Sequence, residues 1–230
     1  MNSLYLLINI GVLTGPFFLS FDKKVGFYKT WKAYLISTLI MATLYIPWDM
    51  AFTSNEIWGF NEKYLTGFKL GNLPIEEVLF FITVPYACTF IYACTKAYFK
   101  INFNSKTILV LQLITGLLFI YICIIGRNQH YSFWASLCSL ATLLTFMFLI
   151  PGSKFWSYFF ISFLIACLPF ILVNGILTGS GIDSEVVWYN PEHIFNKRIF
   201  TIPIEDNIYN FGMLLLSIGS YELINRKSSI

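Results

Sequence analysis

The stretch of sequence that decides the fold occurs twice. Residues 61–80 read NEKYLTGFKLGNLPIEEVLF, and residues 190–209 read NPEHIFNKRIFTIPIEDNIY. At a constant offset of 129 residues, the asparagine that opens each block aligns, and PIEE at 74–77 aligns with PIED at 203–206. Two apolar segments often resemble each other by chance, but chance does not explain shared proline and acidic residues at equal spacing. We therefore predict an internal duplication.

The acidic tetrads are the first candidates for chemistry. Proline and acids suit the start of any helix, where acids meet the positive end of the helix dipole. Carboxylates near hydrocarbon are costly, however, and are usually functional. Helical spacing places Phe80 on the face of Glu76 and Tyr209 on the face of Glu205. Burial favours the protonated carboxyl and the dipole favours the ionised one, so the sequence leaves open which form prevails.

The composition is that of a membrane protein. Apolar residues make up 57% of the 230 residues and charged residues only 12%, and the mean hydropathy is +0.68. Soluble domains carry about 25% charged residues, so a soluble enzyme, a coiled coil and a disordered chain are all disfavoured. Aromatic residues reach 19%, which suits an interfacial belt or an apolar pocket.

Seven apolar stretches approach or reach the length needed to span a bilayer. They lie at 3–20, 31–51, 75–95, 107–126, 131–151, 155–177 and 204–224. We predict an all-α integral membrane protein of about seven transmembrane helices. The first three helices form one repeat (1–100), the last three form a second (131–230), and a linking helix (101–130) lies between them. One inserted helix gives both three-helix repeats the same orientation, so the repeats are predicted to be parallel.

Basic residues predict the orientation. With the N-terminus outside, inner segments carry 10 of the 15 Lys and Arg and outer segments carry 5, so we predict N-out and C-in. The N-terminal stretch has no positive region and no small-residue cleavage site, and we interpret it as a retained first helix.

Several other site types have no support in the sequence. The five cysteines lie in apolar runs without a CxxC pair, and His130 and His193 are far apart in sequence, so no metal is predicted. Neither GxGxxG nor a P-loop occurs, which gives no support for a nucleotide cofactor. A net charge of +3 does not suggest nucleic acid.

The two segments WDMAFTSNEIWGFNEKYLTGFKLGNLPIEEVLFF (48–81) and FTIPIEDNIYNFG (200–212) resemble the lycopene cyclase domain family of bacteria, archaea and fungi. In that family two short three-helix subunits, each with a PxE[ED] element, act together, and some members fuse them. The resemblance covers essentially the whole chain, which looks like such a fusion. It departs in one respect, because Asp206 in the second copy corresponds to Glu77 in the first.

The resemblance implies an isomerase that cyclises the linear ends of lycopene to β-ionone rings, giving γ- or β-carotene without net redox chemistry and without a cofactor. It also implies a bacterial cytoplasmic membrane location, with a linear carotenoid, the lipid bilayer and other carotenoid enzymes as candidate partners. The implied acid and base residues are Glu76, Glu77, Glu205 and Asp206, with their individual roles open. The predicted substrate-contacting residues are Trp48, Asp49, Trp58, Phe80, Phe81, Trp188 and Tyr209.

Three alternatives stay open at this point. A small transporter also uses repeats with membrane-embedded acids, although here the acids stand at helix starts on one face. A prenyl-transferring enzyme needs Asp-rich motifs that bind diphosphate through Mg²⁺, and neither Asp49 nor Asp183 lies in such a cluster. A lipid-binding protein with buried acidic residues is the remaining alternative.

Overall fold

A computed structural model describes residues 3–227 and contains seven α-helices in that range. The helices are α1 (Leu4–Leu19), α2 (Trp31–Ser54), α3 (Ile75–Tyr98), α4 (Ser105–Ile125), α5 (His130–Leu149), α6 (Ser153–Leu177) and α7 (Ile204–Lys227). Every boundary lies within three residues of the predicted one. The architecture is that of an all-α membrane protein with repeats.

Not all seven helices have the properties of a complete membrane span. Five, α2 to α6, are long and apolar enough, by length and composition, to cross a membrane. The helix α1 is apolar but has only 16 residues. The helix α7 carries acidic residues in its first turn and Glu222 and Arg226 near its end, and it does not reach the same hydropathy. About seven helices were predicted and seven form within residues 3–227, of which five have the length and composition of a span.

Six short strands, which the sequence did not predict, gather the polar loops at one end of the bundle. They are β1 (Trp58–Phe60), β2 (Lys69–Leu70), β3 (Leu73–Pro74), β4 (Val187–Tyr189), β5 (Arg198–Ile199) and β6 (Ile202–Pro203). β2 pairs with β3 and β5 pairs with β6, each as an antiparallel hairpin that leads directly into α3 or α7. We call this end of the bundle the hairpin end.

The two loops share their backbone contacts at the offset of 129 residues. In the first copy the Ile75 N–H donates to the Phe68 carbonyl (2.9 Å), and in the second the Ile204 N–H donates to the Lys197 carbonyl (3.0 Å). The side chain of Asn61 caps the 3₁₀ turn that follows it, and the equivalent asparagine, Asn190, does the same. The predicted duplication is therefore visible as a repeated fold.

The strand that opens each loop pairs with its counterpart in the other loop. β1 and β4 are antiparallel. Gly59 lies opposite Trp188, the residue to which Gly59 corresponds at the offset of 129. A pseudo-two-fold axis therefore passes between these two residues. Trp58 is buried, whereas Trp188 remains 37% exposed and its ring covers Gly59.

Helix packing interleaves the two predicted repeats. The helix α1 packs on α3, and α5 packs on α7 in the same manner. The helix α2, however, packs mainly on α7, while α6 packs mainly on α3. The helix α4 lies outside this arrangement, against α5. The repeat boundaries at 100 and 130 remain a prediction.

Gly59 offers a test of the β1–β4 pairing. A Cβ at this position would overlap the Trp188 ring, so Gly59→Val should lower the melting temperature of the detergent-solubilised protein. Overpacking of this kind costs about 1–3 kcal/mol. Adding Trp188→Ala should recover most of the loss. Gly152→Ala is the matched control, because nothing lies within 4 Å of its Cβ position. An unchanged melting temperature in Gly59→Val would contradict the pairing.

Candidate active site

A buried polar cavity of about 60 Å³ lies at the hairpin end, between the first turns of α3 and α7. Three carboxyls line it: Asp49, Glu77 and Asp206. Two amides, Asn174 and Asn210, and four phenols also line it, and the phenols are Tyr5, Tyr131, Tyr189 and Tyr209. We call this space the acid cavity. Its polar groups come from both repeats, as the duplication predicted.

Helix geometry separates each pair of neighbouring acids. Successive residues on an α-helix point about 100° apart, so only one acid of each tetrad can face the cavity. Glu77 and Asp206 do so. Phe80 and Tyr209, each three residues further along the helix, line the cavity with them. The first acid of each tetrad had been expected to share a face with these rings.

Asp206 receives three hydrogen bonds from neutral donors. The Tyr131 hydroxyl donates to Oδ1 (2.7 Å), while the Asn174 amide (2.7 Å) and the Tyr189 hydroxyl (2.9 Å) donate to Oδ2. Burial and the adjacent Asp206 carboxyl raise the pKa of the Tyr189 phenol well above its ordinary value, so this phenol stays a donor. Three donors on two oxygens stabilise Asp206 as a carboxylate.

Glu77 has a different environment. It receives one hydrogen bond, from the Tyr5 hydroxyl to Oε2 (2.5 Å). Asp49, which is 3% exposed, lines the same cavity as Glu77. Oδ2 of Asp49 is buried and has no hydrogen-bond partner among residues 3–227. The Glu77 side of the cavity therefore offers its carboxyls fewer hydrogen-bond donors than the Asp206 side does.

The difference between the two halves can be traced to two substitutions between the repeats. Asp49 of α2 occupies the place that Asn174 has on α6, so a carboxyl in one half replaces an amide donor in the other. Phe60 of β1 likewise stands where β4 has Tyr189, at the offset of 129 residues. Both changes remove a donor from the Glu77 side.

Glu76 and Glu205 contact the loops and not the cavity. Oε1 of Glu76 accepts a hydrogen bond from the Thr66 N–H (2.6 Å), and Oε1 of Glu205 accepts one from the Phe195 N–H (2.7 Å). These are equivalent bonds at an offset of 129. Ser132 also donates to Glu205 (2.6 Å). Both carboxyls are fully buried, and they tie the preceding loop to the first turn of α3 or α7. Their predicted role as acid or base remains a prediction.

Aromatic rings surround the acid cavity. The Tyr209 ring lies 5.0 Å from Tyr45, 5.0 Å from Trp48 and 6.2 Å from Trp58 between centroids. Trp58 stands 4.9 Å from Tyr131, which stacks on Tyr189. The negative faces of such rings attract cations. The arrangement therefore combines proton donors and acceptors with surfaces that stabilise positive charge.

The predicted substrate-contacting residues divide into two groups. Asp49, Trp58, Phe80 and Tyr209 line the acid cavity. Trp48 and Phe81 do not line it, although Trp48 contacts Tyr209 and Phe81 lies against Phe80. Trp188 is the remaining one, and it lies outside the cavity on the partly exposed side of Gly59.

Sequence reasoning missed much of the polar lining. It did not single out Tyr5, Tyr131, Tyr189 or Asn210, and it noted Asn174 only as a counterpart of Asp49. One signal was available, since Tyr5 and Tyr131 stand near the start of the first helix of each predicted repeat. Polar residues inside apolar helices were a second signal, because membrane interiors penalise them.

Two further sequence expectations concern histidine and metal. His130 and His193 are brought together, with ring centroids 5.0 Å apart, despite their separation in sequence. Within residues 3–227 no group of three or more His, Cys, Asp or Glu side chains is arranged to hold a metal ion. All five cysteines are free thiols.

Comparison with known proteins identifies relatives of this sequence. The family model described as lycopene cyclase matches residues 2–95 and 130–224, which leaves out α4. A bifunctional lycopene cyclase/phytoene synthase of Leptosphaeria maculans is 35% identical over 69 residues, which are 30% of this chain and 11% of that protein. A protein of the same name from Pyrenophora tritici-repentis is 37% identical over 78 residues, 34% of this chain and 12% of its own length. The matched part is thus about a tenth of these relatives. No solved structure matches.

The loop contacts of the first acids predict a stability effect. Glu76→Ala leaves the half-buried Thr66 N–H without its acceptor, and an unsatisfied donor costs about 1–3 kcal/mol where it is fully buried. We expect a lower melting temperature in detergent for Glu76→Ala and for Glu205→Ala. Glutamine keeps an acceptor oxygen, so Glu76→Gln should lose much less.

Glu192→Ala controls for the loss of an acid, because Glu192 is exposed in the same loop region. Equal melting temperatures for Glu76→Ala and the wild type would refute the anchoring role.

Proposed function

The chain belongs to the lycopene cyclase family, and we propose that it cyclises the linear ends of lycopene to β-ionone rings in the acid cavity. The observation that carries this proposal is the meeting of Glu77 and Asp206, one from each repeat, in a buried space lined by aromatic rings. The family membership and the names of the two fungal relatives support lycopene as the substrate.

Glu77 is the proposed acid and Asp206 the proposed base. A general acid must hold a proton before the reaction, and Glu77 receives a single hydrogen bond, from Tyr5, so its carboxylate is poorly stabilised. A general base must be ionised, and the hydrogen bonds from Tyr131, Asn174 and Tyr189 favour the carboxylate of Asp206. The two carboxyls thus differ in the number of donors that stabilise their ionised forms, which is an asymmetry that an acid and base pair requires.

The proposed reaction balances without an oxidant or a reductant. Glu77 adds its proton to the terminal double bond of the substrate, which leaves a carbocation. The neighbouring alkene attacks this cation and closes a six-membered ring, so the positive charge moves onto the ring. Asp206 then removes a proton and a ring double bond forms. One proton enters and one leaves, and the proton gained by Asp206 must return to Glu77 before the next turnover.

Side chains around the cavity are suited to the intermediate cation. The faces of Tyr209, Tyr131 and Trp58 supply negative electrostatic potential to a carbocation that has no hydrogen bonds of its own. The carbonyl oxygen of Asn210 is buried and has no partner within residues 3–227, so its dipole is available as well. Exclusion of bulk water protects the cation from capture.

The cellular setting belongs to the same proposal. We infer an integral protein of a bacterial cytoplasmic membrane, with the hairpin end and the acid cavity on the outer side, as the distribution of Lys and Arg indicates. The substrate is an apolar carotenoid dissolved in the bilayer, and other carotenoid enzymes are candidate neighbours. The product is β- or γ-carotene, depending on whether both ends or one end is cyclised.

The proposal is tested by pigment analysis in a bacterium that accumulates lycopene and expresses this chain. The wild type should convert lycopene to cyclic carotenes. Glu77→Gln and Asp206→Asn keep the shape of the side chain but not its proton chemistry, and each should lose about 10²–10⁴-fold in rate. Glu76→Gln and Glu205→Gln should retain more activity than these two variants.

Membrane yield and melting temperature must be matched before the rates are compared. Unchanged lycopene with the wild-type protein in the membrane would reject the function. Wild-type turnover in Glu77→Gln or Asp206→Asn would reject the assigned roles alone, and complete loss in Glu76→Gln and Glu205→Gln would return the chemistry to the first acids of the tetrads.

The contrast between Asp49 and Asn174 permits a reciprocal exchange. Asn174→Asp replaces a donor to Asp206 by a second carboxyl, and the loss should be about 10- to 100-fold, because a hydrogen bond to a charged group is worth about 1.5–3 kcal/mol. Asp49→Asn should also slow cyclisation by removing the carboxyl beside Glu77. The double variant should cyclise lycopene faster than Asn174→Asp does, because one of the two acids then again has a second carboxyl beside it and the other has an amide. Strict additivity of the two losses would contradict the coupling.

A further inference from the structure

Two large apolar clefts lie on opposite sides of the helical bundle. One, of about 330 Å³, is formed by α1, α3 and α6, and we call it the α1–α6 cleft. The other, of about 340 Å³, is formed by α2, α5 and α7, and we call it the α2–α5 cleft. Each is open at the protein surface, through the exposed Gly11 and Pro169 in the first and through the exposed Leu44 and Trp134 in the second. Both openings lie on apolar helix faces.

The repeat makes these clefts equivalent. With Asp49 aligned on Asn174, the α2 residues Leu44, Tyr45 and Trp48 of one cleft take the places of the α6 residues Pro169, Phe170 and Val173 of the other. At the offset of 129 residues, Ala87 of α3 likewise corresponds to Leu216 of α7. The two clefts are therefore related by the same pseudo-two-fold axis as β1 and β4.

The clefts differ in their connection to the acid cavity. The α1–α6 cleft shares three lining residues with it, Phe80, Phe170 and Asn210, so the two spaces adjoin each other at these side chains. The lining residues described for the α2–α5 cleft include none of those of the acid cavity. The packed rings of Tyr45 and Trp48 stand between that cleft and Tyr209.

Two differences between the repeats account for this. Val173 stands in the α1–α6 cleft where Trp48 stands in the other, so a small side chain replaces an indole. Asn210 replaces the larger Phe81 at the offset of 129 residues, and it lines both the acid cavity and the α1–α6 cleft. At these two places the side chains are therefore smaller on the α1–α6 side than on the α2–α5 side.

We propose that the α1–α6 cleft is the substrate-binding channel for the polyene chain of a linear carotenoid, and that the α2–α5 cleft does not take part in binding it. This inference rests on the proposed function. The occupant is a polyene and not a membrane acyl chain, because the inner end of the cleft meets the acid cavity, where an alkene terminus must lie for Glu77 to protonate it. The apolar wall and the surface opening at Gly11 and Pro169 suit entry from the bilayer.

A single open approach has a consequence for the order of the reaction. One acid cavity with one channel holds one end of the substrate at a time. The second end reaches Glu77 only after the half-cyclised molecule has left and re-entered in the opposite direction. The monocyclic carotene should therefore appear before the bicyclic one, and fresh lycopene added during the reaction should increase its share.

Native cysteines offer a matched test. Cys88 lines the α1–α6 cleft and Cys138 lines the α2–α5 cleft, so Cys88→Phe and Cys138→Phe place the same ring in each. In lycopene-accumulating cells Cys88→Phe should lower cyclisation by about tenfold or more, whereas Cys138→Phe should stay within about twofold of the wild type. Val173→Trp, which copies the indole of the closed cleft, should behave like Cys88→Phe.

Membrane yield and melting temperature in detergent serve to exclude unfolded variants, and Val173→Trp provides a second, half-buried position if Cys88→Phe does not fold. The purified wild type should also retain bound lycopene, and Val173→Trp should lose it. If the purified wild type retained membrane lipid and no lycopene, the polyene would be rejected as the occupant. Loss of activity in Cys138→Phe, or normal activity in both Cys88→Phe and Val173→Trp, would overturn the channel. An inactive wild type would instead overturn the proposed function.

Discussion

Burial of carboxyl groups inside an apolar helical bundle is the constraint on which the rest of this structure depends. Asp49, Glu76, Glu77, Glu205 and Asp206 are all nearly or completely inaccessible. A buried carboxyl needs hydrogen-bond donors or a proton, because burial without either is strongly unfavourable. Glu76 and Glu205 use backbone N–H groups of the loops, Asp206 uses three side-chain donors, and Glu77 with Asp49 has the fewest. The hydrogen-bond partners of each buried acid therefore determine which chemical role is open to it.

The duplication explains why these acids meet. The pairing of β1 with β4 joins the two loops about a pseudo-two-fold axis, and the hairpins then start α3 and α7 at the same end of the bundle. Equivalent acids are thereby brought to one cavity on the axis. The exchange of α2 and α6 between the repeats places Asp49 and Asn174 in that cavity as well. The site is thus a property of the assembled pair of repeats.

The sequence predicted the helices and the duplication well, because hydropathy and proline report directly on chain segments in a membrane. It predicted the four acids of the tetrads but not which of them share a cavity, since adjacent residues on a helix diverge by a rotation that depends on packing. The sequence did not predict the hydrogen-bond donors Tyr5, Tyr131 and Tyr189. They lie on other elements, and no local sequence pattern connects them to Asp206 or Glu77. The short strands were not predicted either, because a strand of two or three residues is too short to show an alternation of apolar and polar residues.

The two halves differ where reaction chemistry would require it. Contacts that build the site are the same in both repeats, including the caps by Asn61 and Asn190 and the loop bonds to Glu76 and Glu205. The differences gather around the acid cavity, where Asp49 of one repeat corresponds to Asn174 of the other and Phe60 corresponds to Tyr189. A symmetric cavity would give both acids the same proton affinity, and neither would be suited to give a proton while the other accepts one. Divergence between otherwise equal repeats is therefore what would allow a duplicated pair of carboxyls to act in the proposed roles of acid and base.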